Sequence, residues 1–565
     1  MSGYARNEEQ GQRDRSWAVP ARPTLILAAL HLAALALLLW SESEWDARAA
    51  FALTWGMLNF FWLGVLRRPF VSATLSLALI VTLILLSQFK HDVLVRTATF
   101  VDVLLIDTAT FSFLMTAIPG LAWKAATAVL CLVCGLVALW QVDPFRIRRS
   151  TSFPACACCF VALAALSFAL PLDREDEFEP HQYVSKFARS GAVGVVDLAT
   201  RGILEAEPAV ADRLQPTGFP PCDVGGNRPH IVMVLDESSF DASMMPGTIV
   251  PASYKERFRS ADGKLRSLIV EGAGGPTWFT EYNVLTGLSV RSYGRFAESV
   301  TRLASGRVKR GLPDILRKCG YETYSLYSWF GAFLGARPFQ TTTGIEHFLD
   351  ARQLGIGPGD TDSFFYDHAS QIIARERRPV FVLAYLIANH FPWTYRHRPD
   401  LLPDWVNAGN PAEIDEYLRR QEMSLRDYAQ FKQRLAREFP NERFLLVRFG
   451  DHQPLFARNY VEPALDASAI AQRIFERDPR YFTTYYALDG VNFQPAELAS
   501  ALDPLDAPYL PLVVLEAAGI PLDPSFAEQR RILRRCSGLF YRCGDGAEAR
   551  RFNRLLIDAG LIREF

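Results

Sequence analysis

Ile231-Val-Met-Val-Leu-Asp-Glu237 is an unbroken apolar run that ends in two carboxylates. Near-continuous Ile, Val, Met and Leu over five residues is the pattern of a strand buried on both faces, which in turn marks a parallel sheet covered by helices. Four more runs repeat it after Pro229: Leu268–Val270, Tyr321–Leu326, Val380–Ile387 and Phe444–Phe449, with helix-like stretches between them. This alternation predicts an α/β domain with a mostly parallel central sheet flanked by helices.

Three of these strands run into polar residues able to do chemistry. Ile231–Leu235 leads to Asp236-Glu237, Val380–Ile387 to Asn389-His390, and Phe444–Phe449 to Gly450-Asp451-His452. In open α/β sheets ligands bind outside the carboxyl ends of the strands. One acid after a strand is equally a helix cap; three such ends in one sheet point to a site. A fourth segment follows Leu268–Val270, where Glu271-Gly-Ala-Gly-Gly-Pro276 leads into a helix-like stretch opened by Thr277. Glycines let backbone approach a bound group, and a helix start offers N–H groups to an anion. Thr277 reads either as the cap of that helix, with Glu281 one turn on, or as a nucleophile. A Thr hydroxyl needs a base or a metal for that role at neutral pH. Carboxylates with a single imidazole suit Mn²⁺ or Mg²⁺, and Zn²⁺ is compatible.

Upstream of the sheet the character of the chain changes. Runs near the length of a bilayer crossing lie at Thr24–Trp40, Phe51–Leu66, Val71–Ser87, Ala125–Trp140 and Phe153–Leu170. Val101–Ile118 is also apolar but carries Asp102 and Asp107, which are costly in hydrocarbon without partners. Arg6, Arg13, Arg15 and Arg22 precede the first run, Arg67 and Arg68 separate the second and third, and Arg146, Arg148 and Arg149 precede the last. Five spans put all three Arg groups on the cytoplasmic side, with the acidic loop Ser41–Arg48 and everything after Leu170 outside. A sixth span at Val101–Ile118 would split the Arg groups, so that segment is expected to be re-entrant or interfacial. No small-residue cleavage pattern follows the first run, which argues against a cleaved signal peptide. The expected organisation is a transmembrane domain over 1–172, a charged linker with short helices over 173–228, and a catalytic domain over 229–565. The expected setting is a bacterial inner (cell) membrane, with the catalytic domain in the periplasm or outside the cell.

The 565 residues carry 60 Lys+Arg against 61 Asp+Glu, a balance that gives no support to nucleic-acid binding. Of nine Cys, Cys222, Cys319, Cys536 and Cys543 lie beyond the apolar third. An oxidising compartment permits disulfides among them, and Cys536 with Cys543 is the easiest pairing to form, four free thiols being the alternative.

Val-Leu-Asp-Glu-Ser-Ser (234–239), Gly-Pro-Thr-x-x-x-Glu (275–281), Asn-His-Phe-Pro-Trp (389–393) and Gly-Asp-His-Gln-Pro (450–454) follow the five-span N-terminus in that order. In this the chain resembles the lipoteichoic acid synthase and phosphoglycerol transferase branch of the alkaline phosphatase, or sulfatase-like, superfamily. The resemblance implies Thr277 as a nucleophile that takes a phospholipid headgroup phosphate, releases diacylglycerol, and passes the phosphate to a hydroxyl of a cell-surface glycan or lipid. It implies one divalent metal ion, Mn²⁺ favoured, on Glu237, Thr277, Asp451 and His452. Asp236 is the competing carboxylate, but the family pattern puts the ligand directly before Ser238. His390 matches a histidine that contacts the substrate phosphate or protonates the leaving oxygen. Tyr-Ser-Trp329-Phe-Gly-Ala-Phe-Leu-Gly-Ala-Arg337 is the nearest match to the family's phosphate-clamping segment, which makes Trp329 and Arg337 substrate-binding candidates; the family often has Trp two residues before that Arg, where this chain has Gly335. Phosphoethanolamine transferases form a neighbouring branch, usually richer in soluble-domain cysteines, which tilts the expectation toward phosphoglycerol. Sulfatases share the fold but use Cys/Ser-x-Pro-x-Arg, which Thr277 lacks. A phosphodiesterase or sulfatase-like hydrolase with water as acceptor, and an inactive membrane scaffold, are the competing functions.

Overall fold

The computed structural model describes residues 21–105, 107–117, 120–172, 176–214, 222 and 228–564. Arg6, Arg13 and Arg15 lie outside the described residues. The chain divides into two compact units, one of residues 1–87, 119–172 and 181–189, the other of 88–118, 173–180 and 190–565.

Among the described residues five helices are long and apolar enough to cross a membrane: Pro23–Ser41, Trp45–Leu66, Pro69–Leu94, Leu121–Val142 and Arg149–Ala169. They coincide with the five apolar runs. In the first unit the two inter-helix Arg segments meet: Arg67 and Ile147 exchange hydrogen bonds, Ile147 N–H donating to the Arg67 carbonyl at 3.2 Å and Arg67 Nε to the Ile147 carbonyl at 3.3 Å. Arg68 donates to the carbonyl of Asp143. Glu42, in the acidic loop, accepts from the Ser185 hydroxyl at 2.6 Å, and Asp46 pairs with Arg189 at 2.7 Å. Thus the acidic loop meets the segment that follows the last span.

Val101–Ile118 forms no long helix over its described residues. A 3-10 turn, Phe100–Leu105, precedes a ten-residue helix, Thr108–Ala117, and both belong to the second unit. Its two acids have partners: Asp102 accepts from Lys90 at 2.8 Å and from the Thr99 N–H, and Asp107 pairs with Arg302. Those bonds supply what an acid in an apolar stretch requires.

The second unit is built on an eight-stranded sheet. Its strands are β1 (His230–Asp236), β2 (Ser267–Ile269), β3 (Glu322–Leu326), β4 (His347–Leu349), β5 (Val380–Tyr385), β6 (Phe444–Gly450), β7 (Thr483–Val491) and β8 (Leu505–Asp506), in the order β4-β3-β5-β1-β6-β7-β2-β8. All neighbouring pairs are parallel except β6 with β7 and β7 with β2. Every residue of β1, β5 and β6 is buried. Side chains alternate between two cores. Ile231, Met233 and Leu235 pack with Phe381, Leu383, Leu445 and Val447 beneath the helices Thr277–Thr286 and Leu510–Ala517. Val232 and Val234 pack with Val382, Ala384 and Leu446 under Asp362–Arg375 and Ala412–Glu438. Two disulfides, Cys536–Cys543 and Cys222–Cys319, tie this unit; the second spans 97 residues and had no sequence signal.

Candidate active site

Because β5, β1 and β6 are parallel neighbours, their carboxyl ends open at one place. The register sets Leu235 beside Tyr385 and Asp236 beside Gly450. Glu237, Asp451 and His452 follow directly, all buried, each offering a ligand atom within 4.8 Å of the others'. Asp236 ends β1, and Glu237 is the first residue beyond it. Asp236 accepts from the Tyr485 hydroxyl, away from the cluster, while Glu237 joins it.

The loop after β1 is shaped around Asp451. Ser238 has φ 51° and donates its N–H to Asp451 Oδ1 at 2.8 Å, while its hydroxyl donates to Glu237 Oε1 at 2.7 Å. Tyr417 donates to the Ser238 carbonyl at 2.9 Å. Position 450 has to be glycine: a Cβ there would meet the Ser239 carbonyl oxygen at 1.9 Å.

His452 Nδ1 is 2.9 Å from the Gln453 carbonyl, which assigns the ring its Nδ1–H tautomer and leaves a lone pair on Nε2. That nitrogen lies 3.2 Å from Asp451 Oδ2, 3.7 Å from Glu237 Oε1 and 3.3 Å from the Thr277 hydroxyl. Asp451 Oδ2 is buried and accepts no hydrogen bond among the described residues. Burial, then the Asp451 carboxylate, push Glu237 up to about 8. Three lone-pair atoms facing one another in a buried site form a set that fits a cation, and two carboxylate oxygens with one imidazole nitrogen fit a divalent one.

Thr277 is the first residue of the helix Thr277–Thr286, with Pro276 at the N-cap. Its hydroxyl is directed to His452 rather than spent on the helix end. Thr280, on the same helix, donates to the Asp451 carbonyl at 2.6 Å and locks the helix start to the end of β6. Gly275 lies against the Val93 carbonyl, 2.8 Å from where a Cβ would stand.

His390 follows β5, with Nδ1 2.8 Å from the Phe391 carbonyl and its ring stacked on Phe391. Burial lowers its pKa, partly offset by the hydrogen bond to the Phe391 carbonyl and then by the Asp451 charge. Its loop is held by Arg420, which donates to the carbonyls of His390 at 2.8 Å, Pro392 at 3.0 Å and Tyr395 at 3.1 Å. Asp362 fixes the preceding turn through the N–H groups of Ile387 and Ala388, both at 3.0 Å. Arg420 gave no sequence signal, because it lies thirty residues on, inside a long helix.

Arg337 makes its contacts at the end of β4. Its guanidinium donates to Asp350 at 3.0 Å, to Gln353 at 2.5 Å and to the Phe348 carbonyl at 2.8 Å, and it lies 4.7 Å over the Phe348 ring. The Trp329 ring lies tilted against that of Phe330, and the Trp329 carbonyl accepts from the Ala351 N–H.

Glu281 is buried one turn beyond Thr277 and accepts from Gln340 at 2.9 Å. Burial pushes it up to about 8. The folded chain therefore holds a proton there between about pH 4.5 and 8 that the unfolded chain has released, so stability falls as pH rises through that window, by up to about 1.4 kcal/mol per unit. Glu281→Gln should remove this share of the slope: thermal melts of the full chain in detergent should fall less between pH 5 and pH 8 in the variant than in the wild type. Parallel curves would show that Glu281 is ionised in the folded chain.

Residues 270–472 match the sulfatase family model, a span that includes Thr277, Trp329, Arg337, His390, Asp451 and His452 but not Glu237. No curated protein matches the chain by sequence. Among solved structures, the Streptococcus pyogenes phosphoglycerol transferase GacH, in complex with sn-glycerol-1-phosphate, is 14% identical with a TM-score of 0.44, over 59% of this chain and 85% of that one. The Neisseria meningitidis lipooligosaccharide phosphoethanolamine transferase A is 14% identical with a TM-score of 0.41, over 72% and 82%. The Listeria monocytogenes lipoteichoic acid synthase LtaP is 16% identical with a TM-score of 0.38, over 52% and 73%. The stretch similar to the sulfatase family, residues 270–472, thus lies in a unit built on a mostly parallel sheet and holds Thr277, Asp451 and His452, in a chain that has five membrane-length helices among its described residues.

Proposed function

We propose that this chain transfers a phospholipid headgroup phosphate, phosphoglycerol ahead of phosphoethanolamine, to a cell-surface glycan or lipid through a covalent intermediate on Thr277. The observation that carries this is the Thr277 hydroxyl 3.3 Å from His452 Nε2, at the lip of a buried set of lone pairs on Glu237, Asp451 and His452. Glu237, Asp451, His452 and the Thr277 hydroxyl would hold one divalent ion, Mn²⁺ ahead of Mg²⁺ or Zn²⁺. Such an ion supplies positive charge that makes a hydroxyl more acidic and offsets the charge of a phosphate.

The protein's own groups account for the rest. Thr277 Oγ attacks phosphorus, forming the Oγ–P bond as the bond from phosphorus to the diacylglyceryl oxygen breaks. The proton lost by Thr277 is matched by the one that oxygen gains. In its protonated form, which a bound phosphate favours, His390 is suited to deliver that proton from Nε2, since its Nδ1–H is held on the Phe391 carbonyl, while the Thr277 proton passes to solvent. In the second half an acceptor hydroxyl attacks the same phosphorus and gives its proton to His390 as the Oγ–P bond breaks, and the freed Thr277 oxygen regains a proton from solvent. The helix that begins at Thr277 turns its positive end toward the phosphate throughout.

The domain works on the outer side of the membrane in this reading. Arg67 and Arg68 meet the Arg146–Arg149 segment at one end of the first unit, the cytoplasmic end by charge bias, and two disulfides in the second unit suit an oxidising compartment. Mass spectrometry of lipids and envelope glycans from cells with and without the enzyme tests the assignment. Transfer yields diacylglycerol together with a newly modified glycan or lipid. Diacylglycerol with only free headgroup phosphate would make the chain a hydrolase.

A further inference from the structure

A second cavity, of about 120 Å³, lies inside the sheet-bearing unit and is lined by Arg96, Arg291, Arg295 and Arg477 together with Glu177 and Glu271. It is several times the roughly 10–15 Å³ that one water occupies on this measure. None of Glu237, Thr277, Asp451 and His452 lines it.

The charges around it do not close. Arg295 pairs with Glu177 and Asp197, and Arg96 reaches Glu298 at 3.5 Å. Among the described residues Arg291 and Arg477 have no carboxylate within 4.0 Å. Arg291 lies 4.2 Å over the Tyr541 ring; Arg477 lies 4.8 Å over Phe482 and donates to the Glu271 carbonyl at 2.7 Å. The Glu271 carboxylate is already occupied by Asn283 Nδ2 at 2.8 Å, the Val290 N–H at 2.7 Å and the Ser289 hydroxyl. Burial first, then the charges of Arg291 and Arg96, hold the Arg477 guanidinium well below its usual pKa. Arg477 also has φ 60°, a conformation rare for a non-glycine residue. Cations crowded into a half-buried hollow are costly unless an anion joins them, and guanidinium forks match the oxygens of a phosphate.

We infer that this cavity is a second phosphate site, in which Arg291 and Arg477 bind the oxygens of a phosphate ester and Arg96 and Arg295 close the ring. It goes beyond headgroup transfer at Thr277 and does not depend on it. Its location gives it a consequence for that site: Glu271 and Phe279 line it from either side of the Gly272–Thr277 loop, and Arg96 comes from the segment whose Val93 carbonyl covers Gly275. A phosphate here braces the loop that carries Thr277. The chemistry is met by an anionic lipid headgroup or by a soluble phosphate ester.

The test is calorimetric titration of inorganic phosphate into the full-length protein in detergent, with chelator present to keep divalent ions from Glu237, Asp451 and His452. One saturable site is expected, at least tenfold weaker in Arg477→Gln and in Arg291→Gln, and unchanged in Asp451→Asn. Circular dichroism confirms that each variant is folded; if Arg477→Gln is not, Arg291→Gln decides. Absence of saturable binding to the wild type, wild-type affinity in the folded Arg variants, or loss of binding in Asp451→Asn overturns the site. Repeating the titration in nanodiscs identifies the source: competition by phosphatidylglycerol but not phosphatidylcholine means a lipid headgroup, and no competition means a soluble phosphate ester.

Discussion

Thr277→Ala is expected to lower turnover on the order of 10⁴-fold or more, the scale on which removal of a covalent nucleophile acts. The substitution deletes the hydroxyl 3.3 Å from His452 Nε2 and little else, because the helix start is held independently by Thr280 on the Asp451 carbonyl. Substrate binding should therefore persist while kcat falls. Thr277→Ser keeps the hydroxyl and loses a methyl that restricts χ1, so it should lie within roughly a hundredfold of the wild type. Steady-state kinetics on a fluorescent phosphatidylglycerol separates the effects. A Thr277→Ala enzyme with unchanged kcat would return Thr277 to the role of a helix-start residue and hand the attack to water.

The second large effect concerns charge rather than the nucleophile. Asp451→Asn retains an oxygen able to accept from the Ser238 N–H, as Asp451 Oδ1 does at 2.8 Å, but removes the negative charge that faces His452 and Glu237. Activity should fall about 10³-fold or more, with the domain still folded. In a chelator the variant and the wild type should melt together. Added Mn²⁺ should raise the melting temperature of the wild type alone, because a ligand that binds only the folded chain stabilises it. Equal Mn²⁺ stabilisation of both would remove Asp451 from the ligand set.

The parts of this fold that were legible in sequence are those whose burial leaves a continuous apolar run. β1, β5 and β6 are buried along their whole length, and each reads as Val, Ile, Leu and Phe before its polar end. β4 and β8, of three and two residues, are too short to leave a pattern. β7 carries Thr483, Thr484, Asp489 and Gly490 and reads as loop until its partners β6 and β2 are known. Asp236-Glu237, Asn389-His390 and Asp451-His452 stood out because parallel strands deliver their ends to one place, Thr277 because a glycine-rich loop leads into its helix, and the choice of Glu237 over Asp236 came from the family resemblance. Arg337 stood out by motif spacing, yet its guanidinium is taken up by Asp350, Gln353 and Phe348. The Arg-lined cavity had no signature at all, since its cations come from residues 96, 291, 295 and 477, separate stretches that only folding brings together.

The central claim is that Thr277 itself carries the headgroup phosphate. Peptide mass spectrometry after rapid acid quench of the enzyme turning over phosphatidylglycerol examines it directly. A phosphoglyceryl adduct is expected on the peptide that contains Thr277, absent from the Thr277→Ala protein. An unmodified Thr277 peptide throughout turnover, with Thr277→Ala still active, would contradict it.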